Sequence, residues 1–164
     1  MKRIFLSVSI LFAICFVTCK KQNKPDSKTE KQGLAIEKNI NTMNSYISLF
    51  EIPATDIARA ITFYQAILNI KIQKMEMPGM EMGIFPYENQ TVTGVIMKGE
   101  GFKPSADGVT IYLNGGNNLQ TILDKVEVNG GKIIVPKTAH ADESGFFALF
   151  IDTEGNRLGL NSAN

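Results

Sequence analysis

Side chains able to do chemistry are sparse in this chain of 164 residues, which has one histidine, His140, and two cysteines, Cys15 and Cys19. A multi-histidine metal centre within one chain is therefore excluded. Both cysteines fall in an apolar N-terminal run, so the remainder carries no internal disulfide and no thiol nucleophile. His140 lies in the loop Pro136–Gly145, where a lone histidine reads as solvated surface, with proton transfer as the alternative. The stretch KMEMPGMEMG alternates Met75, Met77, Met80 and Met82 with glutamates. Four thioethers could hold a soft ion such as Cu(I). The same alternation about Pro78-Gly79 describes a hairpin with one apolar face, and that packing reading is preferred. Gly-Gly pairs at 115–116 and 130–131 lack the spacing of a phosphate-cradling loop, and no Gly-x-Ser-x-Gly elbow occurs. A net charge of +1 leaves no electrostatic footprint for nucleic acid.

The elements that must position these residues begin after a targeting segment. Lys2 and Arg3 precede the nearly unbroken apolar run Ile4–Thr18, which is too short to favour a membrane span. Phe16-Val17-Thr18-Cys19 resembles a bacterial lipobox, which would make Cys19 the lipid-bearing first residue after cleavage; a secretory signal cut nearby is the alternative. The expected organisation is a lipoprotein signal peptide over 1–18, a flexible polar tether over 19–42 and a domain over 43–162. The partner implied is a membrane, reached through the lipid anchor. The location implied is the cell envelope, and the outer membrane where two membranes exist, since Lys20 follows the cysteine.

From residue 43 the pattern reads as strand, helix and three strands, twice. Tyr46–Ile52 is expected as a strand that Pro53 ends, and Asp56 as the N-cap of a helix to Leu68. Ile57, Ala60, Ile61, Tyr64 and Leu68 form the apolar stripe of that helix. Strands are expected at Lys71–Met77, Glu81–Tyr87 and Thr91–Lys98, and Gly99–Asp107 as the linker. The second half repeats the order: strand Val109–Asn114, helix from Asn118 to Asn129, then strands Lys132–Val135, Phe146–Ile151 and Arg157–Leu160. At an offset of 62 residues Asp56 falls on Asn118, Ile61 on Leu123, Tyr64 on Val126 and Ile72 on Ile134.

Two stretches carry a resemblance. FEIPATDIARAITFY near the start and GFFALFIDTEGNRLGL at the end are similar to the opening and closing segments of the vicinal oxygen chelate superfamily, which includes glyoxalases, bleomycin-resistance proteins and dioxygenases. The resemblance implies an α+β fold. Two βαβββ modules, 43–99 and 107–162, would form an eight-stranded, incompletely closed barrel-like sheet around a cup. In metal-dependent members His, Glu or Gln ligands project into that cup. The matching positions here are Leu49, Gly94, Thr110 or Ile111, and Gly159, none of which offers an imidazole or a carboxylate. No metal and no other cofactor is expected.

Strand parity then places Glu51 on the face of Leu49, Tyr112 two positions past Thr110, and Arg157 on the face of Gly159. With Met97 and Phe147 these are the candidate ligand-binding residues. Glu51 is the candidate catalytic base, since a carboxylate in a partly apolar wall can accept a proton; a rim ion pair with Arg157 is the structural alternative. The expected function is binding of a small organic molecule in the cup, with a lyase or isomerase that uses Glu51 as the alternative. A homodimer remains open.

Overall fold

The computed structural model describes residues 45–164. The expected signal peptide, Cys19 and the tether lie outside the described residues. Strand β1 (Leu49–Pro53) runs parallel to β4 (Thr93–Gly99), with Ile52 beside Ile96. Pro53 lacks an amide hydrogen and stands last in the strand; Ala54 N donates to Met97 O just beyond it. The chain turns at once into helix α1 (Ile57–Leu68), where Asp56 caps the start by accepting from Ala58 N and Arg59 N. Asn69, in the left-handed conformation at φ 54°, ends it.

Strands β2 (Gln73–Met77) and β3 (Met80–Ile84) form an antiparallel hairpin about Gly79, whose φ of 78° suits glycine. Met75 lies opposite Met82 and Met77 opposite Met80, and Met82 lies opposite Met97 on β4. Directly opposed residues share a face, so the hairpin does present one methionine face. Its other face carries charge: Glu81 meets both Lys74 and Lys98. The first sheet has the order β1-β4-β3-β2.

The second module repeats the plan with β5 (Tyr112–Asn114), α2 (Gln120–Val126), a 3₁₀ turn (Glu127–Asn129), β6 (Lys132–Ala139), β7 (Phe146–Ile151) and β8 (Arg157–Ser162). Its sheet order, β5-β8-β7-β6, mirrors the first. Among the described residues no strand ladder joins the two sheets, so their eight strands make an incompletely closed, barrel-like arrangement of two βαβββ modules.

Several boundaries differ from the expectation, each for a physical reason. The expected second helix divides into seven α residues and a 3₁₀ turn. Leu119 occupies the capping position without a side-chain bond, although Asn118 Oδ1 still accepts from Gln120 N. Strand β6 does not stop at Val135 but continues through Pro136 to Ala139. It is an edge strand with register shifts around that proline, so no ladder bond is forfeited. The repeat register also fails after the helices, since Ile72 is buried but Ile134 is 40% exposed.

One core holds both modules together. Helix α1 buries Phe63 and Ile67 as well as Ile57, Ala60, Ile61 and Tyr64 of the expected stripe, because it is covered by its own sheet and by the second module; Leu68, the last of that stripe, is only half-buried. Phe63 packs against Phe150 of β7 at 6.2 Å between ring centres and edge-on to Tyr64 at 5.1 Å.

The modules are also clasped. The turn Asp152–Asn156 reaches the strand-to-helix turn of the first module. Glu154 Oε2 accepts from Thr55 N (2.8 Å), Thr55 Oγ1 (2.8 Å) and Asp56 N (3.0 Å), and Arg59 Nε donates to Oε1 at 2.8 Å. The Glu154 side chain is wholly covered. Burial pushes its carboxyl up, but the bonds from Arg59, the two amides and Thr55 prevail and hold it below the ordinary carboxylate range. Beside it, buried Tyr64 donates to Asp152 Oδ2 at 2.7 Å, and Asn156 Nδ2 bridges Asp152 Oδ2 and Pro53 O. Burial, then Asp152, push the Tyr64 phenol well above its usual range.

Candidate functional site

A groove of about 1200 Å³ opens between the two modules. The end of α1 (Ile67, Leu68), Ile70 just beyond it, Phe50 of β1 and the 85–93 loop form one wall. Val109–Asn114 and the start of α2, with Ile122 and Lys125, form the other. Phe50 is placed here by parity: it shares with Ile52 the helix-facing side of β1, and its ring meets Phe85 edge-on at 6.0 Å. The apolar walls are edged by the neutral amides of Asn89, Gln90, Asn117 and Asn118.

Of the sequence-predicted ligand-binding residues, Tyr112 alone lines this groove. Its ring lies over Gly159, where a Cβ would collide with it. Glu51 and Arg157 meet elsewhere, in a cleft of about 180 Å³ that Lys103, Ser105 and Asp107 also line. They form no ion pair; Arg157 donates instead to Thr110 Oγ1 at 3.1 Å and to Gly108 O at 3.1 Å. Met97 is buried in the middle of the first sheet, opposite Pro53 and Met82. Phe147 is half-buried beneath His140, whose ring lies 5.1 Å away and whose Nε2 is 2.9 Å from Asn161 Oδ1. The structure thus joins Glu51 to Arg157 and leaves Tyr112, Met97 and Phe147 apart from them.

The positions that hold metal in metal-dependent relatives do not fit a divalent ion here. Of Leu49, Gly94, Thr110 or Ile111 and Gly159, the two glycines are covered by aromatic rings, Gly94 by Phe50 and Gly159 by Tyr112. The donors required, imidazole and carboxylate, are missing from this set. Among the described residues no three His, Cys, Asp or Glu cluster closely enough to hold an ion.

Sequence reasoning missed the groove and with it Phe50, Phe85, Ile122 and Lys125. The available signal was parity itself: Phe50 alternates with Glu51, so a cavity on the helix side takes the phenylalanine and not the carboxylate.

A family model described as Glyoxalase/Bleomycin resistance protein/Dioxygenase superfamily matches residues 46–160. A glyoxylase-like domain-containing protein of Didymella fabae is 33% identical over 124 residues, which are 70% of this chain and 91% of that protein. A glyoxalase I variant from Zea mays has a similar fold at 20% identity and a TM-score of 0.59; the match covers 71% of this chain but only 45% of the maize chain. An antibiotic binding protein from Streptomyces sp. CB03234 matches over 73% of this chain and 97% of its own, at 17% identity and a TM-score of 0.59. The two clasped segments, the paired βαβββ modules and these matches agree, and the chain belongs to the glyoxalase/bleomycin resistance protein/dioxygenase superfamily.

Proposed function

We propose that this domain binds a small organic molecule in the groove between its modules, and that Cys19 anchors it to a membrane by lipid. The groove carries the binding reading. Its volume of about 1200 Å³ accommodates a drug-sized ligand, and aromatic and aliphatic walls edged by a few neutral amides are the usual make-up of such sites. The Streptomyces protein of similar fold is described as an antibiotic binding protein, which is consistent with this use of the fold. Ligand-observed NMR screening of the full chain tests it. Hits should vanish with Val92→Trp, which fills the groove from a half-buried wall position; hits that persist refute the site. Cys19→Ala should move the protein from the membrane fraction to the soluble fraction, and a variant still in the membrane fraction refutes the anchor.

A second reading has one observation in its favour. Among the described residues Glu51 has no ion-pair partner, and it shares its cleft with the Arg157 guanidinium. A carboxylate beside a cation is suited to removing a proton next to the carbonyl of a small anionic substrate. Glu51→Gln should then abolish turnover and leave ligand binding in the groove unchanged. Turnover that survives the substitution refutes this role.

A further inference from the structure

We infer that the ligand of the inter-module groove is an amphipathic organic anion whose acidic group pairs with Lys125. The inference rests on the groove being the binding site and names the class of molecule that fills it.

Among the described residues that line the groove, Lys125 is the one charged side chain; every other polar group there is a neutral hydroxyl, phenol, amide or backbone group. Lys125 is half-buried, one helical turn beyond Ile122 on α2. Among the described residues no carboxylate stands within ion-pair distance of its ammonium. Its sequence neighbour Asp124 is already engaged as the acceptor of Gln120 Nε2 at 2.6 Å. Lys74 and Lys98 pair with Glu81, and Lys137 lies over the Phe146 ring while donating to Asn118 Oδ1; none of these, nor Lys71, Lys103 or Lys132, lines the groove.

An unpaired cation at the edge of an apolar cavity attracts an anion more strongly than it would in open solvent, because the low-dielectric walls weaken screening. The opposite wall, with Phe50, Phe85 and Ile67, is apolar. The two walls of the groove therefore ask for different things of one molecule: a carboxylate, sulfonate or phosphate at Lys125, and a flat or branched hydrocarbon body against the phenylalanines. A cationic ligand would face Lys125 with no carboxylate in the lining to offset the repulsion.

Isothermal titration of the full chain with naphthalene-2-carboxylate and its neutral twin, naphthalene-2-carboxamide, tests the inference. The anion should bind about tenfold more tightly at low salt, a ratio corresponding to ~1.4 kcal/mol. The preference should shrink as salt is added and vanish in Lys125→Gln, with the amide's affinity unchanged. Equal affinities in the wild type, or a preference that survives Lys125→Gln, overturn the anion class and leave the groove reading intact. Binding of both probes that Val92→Trp does not reduce, or binding of neither, overturns the groove reading as well.

Discussion

Removing the Glu154 carboxylate tests whether the clasp between the modules depends on backbone amides or on the ion pair. In Glu154→Ala, Thr55 N and Asp56 N lose their acceptor, the Thr55 hydroxyl loses its acceptor too, and the Arg59 guanidinium loses its carboxylate. A lost hydrogen bond to a charged acceptor costs roughly 1.5–3 kcal/mol. The penalty here sits at the low end, because Thr55 and Asp56 are near water, so the two amides together give about 3 kcal/mol. For a domain of this size that lowers Tm by roughly 6–12 °C. Arg59 is 49% exposed, so screening leaves its part small, and Arg59→Ala should cost clearly less. With no tryptophan in the chain, far-UV circular dichroism in urea is the suitable assay. The pH dependence has a definite sign. The folded carboxyl titrates below its ordinary value of 4.5, so its stabilisation is complete above that pH and is lost as pH falls through the folded value. The gap between wild type and Glu154→Ala should therefore close in acid. If Arg59→Ala costs as much as Glu154→Ala, or the gap does not change with pH, the amide account is wrong.

Tyr64→Phe removes the buried donor to Asp152 and should cost about 1–2 kcal/mol in urea denaturation. The Tyr64 phenol titrates well above its usual 10, so its contribution is complete below pH 10 and lost as pH rises toward the folded value; the variant's stability should fall less steeply in alkali than the wild type's. Gly145→Ala should destabilise by roughly 2 kcal/mol, since at φ 139° a Cβ there meets the Ser162 backbone oxygen, which cannot move aside. Gly159→Ala should cost only about 1 kcal/mol and add little more in a Tyr112→Ala background, since its obstacle is the half-exposed Tyr112 ring; additive costs would show that the ring is not what crowds it.

Much of the fold was legible because local chemistry and tertiary need agree. Asp56 both reads and acts as an N-cap, and β7 spans the expected Phe146–Ile151. Periodicity was less informative where an element is covered on two sides: Phe63 and Ile67 fall off the expected stripe because the second module buries them. Proline misled at Pro136, since an edge strand tolerates a missing amide that a central strand would not. The candidate site was read less well. Parity assigns Glu51, Arg157 and Gly159 to faces of their strands, but which face borders a cavity depends on how two sheets without a shared ladder are set together. No short-range pattern encodes that, and neither Lys125 nor the Phe50–Phe85 pair stands out in one dimension.

The clasp also bears on the order in which the chain can finish. Its two halves are separated by 88 residues or more, and the second lies near the C-terminal end. As the polypeptide is synthesised from its N-terminus, the first module has its strands and helix long before anything can accept from Thr55 N and Asp56 N or from the Tyr64 hydroxyl. That module waits, with a polar gap at the start of its helix, until residues 152–156 emerge. Contacts of such separation are late and slow to form. Loss of the last dozen residues would therefore be felt in both modules at once: it takes β8 from between β5 and β7, and it strips the strand-to-helix turn of the opposite module of its acceptor.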